Sequence, residues 1–233
     1  MVIIEAKNLI KKYRVGDSEI MALNDVSFKI NEGELVVILG ASGAGKSTLL
    51  NILGGMDRPT NGSFLVKNKD ISKYSDKELS KFRRNEIGFV FQFYSLIASL
   101  NAYENVSLAA GVVEDSLDSL SVLESVGLKN RITNFPSELS GGEQQRVAIA
   151  RAIVKKPAML LCDEPTGALD SRTGQEVLKI LQDMSREKGR VTIIVTHNQE
   201  IAKLANHVIK LSDGKIIEET FCDKPKKVSE IVW

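Results

Sequence analysis

The chain has 233 residues, of which 43% are hydrophobic and 26% charged, with a formal net charge of +1. That length buries a full core as one large domain or a domain with a subdomain, and the composition is that of a globular protein. The near-zero charge excludes a strong global pull toward nucleic acid or anionic lipid, and no apolar run approaches the roughly 20 residues that span a bilayer.

From the N-terminus, Met1-Val2-Ile3-Ile4-Glu5 lacks the basic start and the small-residue cleavage site of a signal peptide. Val2 to Leu9 alternates in part, and Ala22 to Ile30 more clearly, through Leu23, Val26, Phe28 and Ile30. Both are expected as strands. Glu34 to Leu39 is apolar after its first residue, as a strand buried on both faces should be. Directly after it stand Gly40, Ala41, Ser42, Gly43, Ala44, Gly45, Lys46, Ser47 and Thr48. This is the full G-x-x-x-x-G-K-S pattern of a P-loop, in the expected place between a strand and a helix. Glycines let the backbone wrap closely, so that its N–H groups face phosphate oxygens. Lys46 is placed to reach the β- and γ-phosphates, the Ser47 hydroxyl to ligate Mg²⁺, and the helix dipole adds positive potential. The chain is therefore expected to hold a nucleoside triphosphate.

The following helix carries Leu49, Leu50, Ile52 and Leu53 and stops near Gly54-Gly55. A strand pair is expected at Gly62 to Val66 and Ile87 to Phe91, with a polar helix over Asp76 to Arg84 between them. The basic runs Lys81-Phe82-Arg83-Arg84 and Lys224-Pro225-Lys226-Lys227 read as solvated surface. From Phe93 to Asn134 the texture changes to Leu, Ala, Ser and Glu at helical spacing, as in Leu117, Leu120, Val122, Leu123 and Val126, which reads as a small helical subdomain. A helix over Glu143 to Lys155, a buried strand over Ala158 to Cys162 and a long helix over Arg172 to Glu187 follow. The last has Val177, Ile180, Leu181 and Met184 on one face. Strands at Val191 to Val195, Val208 to Leu211 and Lys215 to Ile217 complete an alternation that argues for a mainly parallel α/β core. Cys162 and Cys222 have neither metal spacing nor a disulfide framework; Cys162 reads as a small buried hydrophobe, and the pair points to a reducing cytoplasm.

Two further motifs carry chemistry. Ala158 to Cys162 runs into Asp163-Glu164-Pro165. In P-loop enzymes such an Asp supports the Mg²⁺ that bridges the phosphates, and the neighbouring carboxylate is placed to orient water. Leu139-Ser140-Gly141-Gly142-Glu143-Gln144-Gln145-Arg146 contains a capping box, with Ser140 as N-cap and Glu143 three residues on. Its glycines also offer N–H groups to an anion. The residues alone leave open whether it is a second phosphate site or a well-made helix start.

Leu139 to Arg146 resembles the signature motif of ATP-binding cassette (ABC) ATPases, and the family's other motifs follow in order. Gln92 resembles the Q-loop glutamine. Asp163 and Glu164 match the Walker B pair. Gly167-Ala168-Leu169-Asp170 resembles the D-loop, with Gly where Ser is more usual, and Thr196-His197 the switch histidine. Tyr13 sits where the family stacks an aromatic ring on adenine. The resemblance covers nearly the whole chain. It implies an α/β fold with a P-loop NTPase (RecA-like) core, an antiparallel β-subdomain and an inserted α-helical subdomain. Residues 1–92 and 156–220 would form the core with the β-subdomain, 93–155 the helical subdomain and 221–233 a C-terminal tail, all within one ABC ATPase domain.

By the same resemblance, Lys46 and the amides of residues 40–48 hold the phosphates of ATP. Ser47, Gln92 and Asp163 serve Mg²⁺, Glu164 is the general base, and His197 contacts the γ-phosphate. Ser140 and Gly142 act on the ATP of a second copy of the chain, and Gly141 and Glu143 beside them are also expected to bind nucleotide. His207 has no motif context and reads as structural.

The stretches Phe91 to Ile97, Tyr103 to Val106, Pro136 to Ser140 and Gly167 to Ser171 resemble the lipoprotein-releasing, macrolide-exporter and bacitracin-resistance group, with Ala98 where many of these have proline. That implies a separate membrane permease as partner, no nucleic acid, and a cytoplasmic location, peripheral on the inner face of the membrane. Phe93, Tyr94, Leu96, Ile97, Leu100 and Tyr103 are expected to form the groove that receives a permease helix. A role in cell division or envelope stress, signalling through a permease-like partner without transport, stays open.

Overall fold

The computed structural model describes residues 1–186 and 189–231. Strands β1 (Val2–Val15) and β2 (Ser18–Asn31) form a long antiparallel hairpin. Its first strand runs well past the expected Leu9. Register shifts between Ala6 and Leu9, and again between Leu9 and Lys11, break the period-two pattern that a sequence reading follows. Next come β3 (Leu35–Leu39) and α1 (Lys46–Leu53), which ends at Gly54-Gly55 as expected. Strand β4 (Asn61–Val66) leads through a turn to the short β5 (Lys69–Asp70). Helix α2 (Asp76–Glu86) opens on a Ser75–Glu78 capping box and runs directly into β6 (Ile87–Val90).

The expected pairing of the fourth and sixth strands does not occur. β4 pairs antiparallel with β1 and β5, whereas β6 is in the other sheet. Their burial differs accordingly: β4 buries only Phe64 and Val66, as a strand with one solvated face does, while β6 buries three of its four residues.

Helices α3 (Ala102–Ala110) and α4 (Ser119–Ser125) form the helical region, which packs on α5 (Gly141–Ile153). Then follow β7 (Met159–Asp163), α6 (Ser171–Ser185), β8 (Val191–Thr196), α7 (Gln199–Ala202), β9 (His207–Ser212) and β10 (Lys215–Phe221). The expected end of the long helix at Glu187 lies outside the described residues. The smaller sheet has the order β2-β1-β4-β5. The larger has the order β10-β9-β3-β8-β7-β6, parallel from β9 to β6 with β10 antiparallel at its edge.

The unbroken apolar runs of β3, β7 and β8 follow from burial on both faces. Val36 and Ile38 of β3 face a core shared with the β1–β2 hairpin, α1 and α2, while Leu35, Val37 and Leu39 face a second core built with α5, α6 and the helical region. Cys162 is fully buried in that second core, which pushes its thiol up out of the range where it ionises. His207 is structural, as expected: its ring is fully buried, lies 2.8 Å from Glu219 through Nε2, and stacks on Phe221 at 4.4 Å.

Candidate nucleotide site

In an open parallel sheet, ligands bind beyond the carboxyl ends of the strands. Here β3, β8, β7 and β6 are arranged so that Gly40, His197, Glu164 and Gln92 follow their carboxyl ends along one edge.

The loop after β3 is shaped by glycine. Gly45 has φ +97, and a Cβ there would meet the Ala22 carbonyl at 2.4 Å; one at Gly40 would lie 2.4 Å from the Leu211 carbonyl. Only glycine lets the loop press this closely on β2 and β9. Lys46 is buried, its Nζ donating to the carbonyls of Gly40 and Ala41, each at 2.8 Å. Every other α-helix among the described residues has a Ser, Asn or Asp side chain on its first turn, but α1 has Gly45 as N-cap and no side-chain cap. Its first N–H groups are thus left to an anion, which fits the phosphates of a nucleotide.

Ser47 Oγ lies 3.4 Å from Asp163 Oδ2. Burial, and then the neighbouring Glu164 carboxylate, push the Asp163 pKa up. A desolvated carboxylate beside another favours a cation, and a hydroxyl with a carboxylate is an oxygen donor set suited to Mg²⁺. Glu164 stands in the left-handed region at φ 46, where strain is tolerated when surrounding contacts hold it. Its carboxylate accepts from Thr196 Oγ1 at 2.9 Å and His197 N at 3.1 Å, and lies 2.7 Å from His197 Nδ1. Three donors fix its orientation, and the imidazole spends Nδ1 on it.

The remaining expected residues are placed as follows. Gln92 leans toward the turn after Glu164, where a Cβ on Gly167 would meet its Nε2 at 3.0 Å. The Tyr13 hydroxyl reaches Asp57 at 2.7 Å and also Thr48 of α1. The Ser140–Glu143 capping box is present, but the contacts of this segment are with neighbours other than the P-loop. The Glu143 carboxylate accepts from Ser140 N and from Arg131, each at 2.8 Å, and Arg131 holds its pKa down. A Cβ on Gly141 would meet the Tyr94 hydroxyl at 2.6 Å. The P-loop elements, Asp163, Glu164 and His197 are thus brought together, and residues 140–143 form a separate group.

Sequence reading missed several contributors. Gln145 is fully buried and donates through Nε2 to Pro165 O at 2.8 Å and Phe91 O at 3.4 Å, tying α5 to the segments that carry Glu164 and Gln92. Arg151 donates to the carbonyls of Tyr94 and Ser95. The only sequence signal for Gln145 was its place one turn into a motif helix. Arg151 had none, because the carbonyls it holds exist only once the loop has its left-handed turn at Tyr94 and Ser95.

The sheet order and the loop after β3 together define a P-loop nucleotide-binding cassette. A family model described as ABC transporter matches residues 23–167, and the chain belongs to that family. Its fold is that of the family's ATP-binding cassettes. A dimeric structure of the ATP-binding cassette MJ0796 in a post-hydrolysis state with ADP and Pi superposes with a TM-score of 0.86 at 40% identity, covering 94% of this chain and 98% of that one. An ABC transporter ATP-binding protein of Methanocaldococcus jannaschii, itself uncharacterised, is 47% identical over 92% of this chain and 98% of its own length. The macrolide export ATP-binding/permease protein MacB of Acinetobacter baylyi is 46% identical over 93% of this chain; the chain spans 33% of that protein's length.

Proposed function

We propose that the chain hydrolyses ATP with Mg²⁺ at two sites formed between two copies, and that this drives a membrane permease of the export, lipoprotein-release or peptide-resistance type. The observation that carries the reading is the Glu164–His197 pair, 2.7 Å apart and beside Ser47 and Asp163. Glu164 takes the proton of a water as its oxygen bonds to the γ-phosphorus, the bond from that phosphorus to the β–γ bridging oxygen breaks, and ADP and phosphate leave. Lys46 and the α1 amides hold the phosphates, and Tyr13 stacks on the base. His197, with Nδ1 on Glu164, turns its other nitrogen to the γ-phosphate. Ser47, Asp163 and Gln92 would hold Mg²⁺, which supplies charge neutralisation for the departing phosphate.

Ser140 to Gly142, at the start of α5, would meet the ATP of the second copy. The dimeric form of the MJ0796 cassette supports that arrangement. The ATP-binding and permease functions joined in the MacB relatives support a permease partner, which would hold the chain at the cytoplasmic face of the membrane. Besides the exposed Phe93 and Ile97 of the loop after β6, a cleft of about 280 Å³ between the core and the helical region, with Phe89, Phe91 and Val112 in its lining, offers that partner a second apolar surface. Arg151 and Lys155 also line it, and both hydrogen-bond carbonyl oxygens.

The test is Glu164→Gln. Loss of a general base costs on the order of 10² to 10⁴ in rate. The variant is expected to bind ATP, to lose turnover by that factor and to accumulate as an ATP-bound dimer in size-exclusion chromatography. A variant that stays monomeric at saturating ATP and turns over at the wild-type rate overturns the assignment.

A further inference from the structure

Tyr13 is held chiefly by Lys11 and Asp57, which no motif contains. Lys11 and Tyr13 are two apart on β1, and both side chains reach Asp57. Asp57 lies three residues beyond Gly54, on the segment that leaves α1. The Tyr13 hydroxyl donates to Asp57 Oδ2 at 2.7 Å. Lys11 Nζ donates to Asp57 Oδ1 at 2.5 Å and to the Arg58 carbonyl at 2.8 Å. The same ammonium stands over the Tyr13 ring, 4.8 Å from its centroid. Asp57 is fixed in turn by the Arg58 N–H, which donates to Oδ1 at 2.7 Å. The Lys11 side chain is only 12% exposed, so this pair is far better shielded from screening than an ordinary surface ion pair.

A tyrosine has two side-chain torsions, and both are set once its ring is covered on one face and its hydroxyl is anchored. Lys11 takes one face through a cation–π contact, so a flat ligand is left the other. The anchor also fixes distance: Asp57 follows the carboxyl end of α1, and the hydroxyl also meets Thr48 in its first turn. The ring is thereby tied to the helix whose amino end faces the phosphates.

We infer that Asp57, with Lys11, is a positioning residue for base recognition: the pair pre-orients the Tyr13 ring at a set distance from the phosphate loop, so that binding of the base does not have to order it. This rests on the proposed role of Tyr13 against the adenine. Pre-orientation raises affinity by lowering the entropy lost on binding. Its effect falls on the base and not on the phosphates.

The experiment titrates the full chain with ATP and, separately, with inorganic tripolyphosphate, both with Mg²⁺, by calorimetry. Loss of a hydrogen bond to a charged partner predicts that Asp57→Ala and Tyr13→Phe each weaken ATP binding by about tenfold. Tripolyphosphate, which has no base, should bind both variants as it binds the wild type. The double variant should be no weaker than either single one, because both remove the same link. Wild-type ATP affinity in Tyr13→Phe overturns the inference, and so does an equal loss of tripolyphosphate affinity in the two variants. Should Asp57→Ala fail to fold, Tyr13→Phe decides alone, since it removes one oxygen and keeps the ring. Tyr13→Ala separates the levels: unchanged ATP affinity there removes the base platform itself, whereas a large loss with a wild-type Tyr13→Phe removes only the anchor.

Discussion

Gly142 lies in the first turn of α5, where a side chain would have to share space with α6. The motif reading assigns its bare backbone to a phosphate on the second copy. Within its own chain, a Cβ at Gly142 would lie 1.8 Å from Thr173 Cγ2. The two amino ends of α5 and α6 touch here. Thr173 is not free to swing away, because its hydroxyl donates to Asp170 Oδ2 at 2.7 Å and that carboxylate caps α6. Gly142→Ala therefore overpacks the contact at a cost of about 1–3 kcal/mol. For a chain of this size each kcal/mol lowers the melting temperature by roughly 2–4 °C. Thr173→Ser deletes the offending methyl and keeps the capping hydroxyl, so Gly142→Ala/Thr173→Ser should melt well above Gly142→Ala alone. Thermal denaturation checks it, and a single variant that melts like the wild type would show that α6 yields at no cost.

At the scale of an element, the segment after Gln92 divides into two faces. Leu96 packs against the second core and Ala102 is buried, whereas Phe93 is 76% and Ile97 41% exposed. What fixes this division is Asn105. Its side chain is buried, accepts from Ile97 N at 2.9 Å, and donates to the carbonyls of Ile97, Leu100 and Asn101 at 2.8 to 3.1 Å. The apolar stretch expected to dock a permease helix as a whole is thus partly core. A charge at Leu96 falls in a half-buried contact with the second core and should lower the melting temperature. A charge at Ile97 stays in solvent, so Ile97→Asp should melt like the wild type. It is nonetheless expected to lose co-purification with the permease, since an unpaired charge in an apolar contact weakens binding by several kcal/mol. Retained co-purification of a folded Ile97→Asp would move the docking surface away from this loop.

For the whole molecule, the separation of the 140–143 segment from the P-loop of its own chain makes the site composite under the proposed mechanism. Ser140→Arg spoils the face that a chain offers its partner, and Lys46→Ala spoils the loop that it keeps. Each pure variant should then be inactive. A mixed dimer retains one intact site, and random pairing makes at most half of the dimers mixed, so mixing the two should restore activity up to about a quarter of the wild-type value. Steady-state ATPase assays over a titration of mixing ratios measure this, and full two-site activity in the mixture would exclude the two-chain site.

Local pattern was enough wherever neighbours in sequence are neighbours in space. The P-loop glycines before Lys46, the Ser140–Glu143 capping box and the doubly buried strand at Leu35 to Leu39 were legible because turn, cap and burial period are set within a few residues. The family resemblance added the likeness of Asp163, Glu164 and His197 to known motifs, and the structure brings these together at adjacent strand ends. What the sequence could not give was partnership across the chain. β4 and β6 follow each other but enter different sheets, since strand pairing is decided by which faces the packed layers must cover. The bulges that lengthen β1 erased the alternation by which strands are recognised. Asp57 and Arg151 bear no motif, Gln145 stands in one without an assigned role, and their partners lie 44, 54 and 57 residues away in Tyr13, Phe91 and Tyr94. Such contacts come into being only when the tertiary fold closes those loops, so only the folded chain could disclose them.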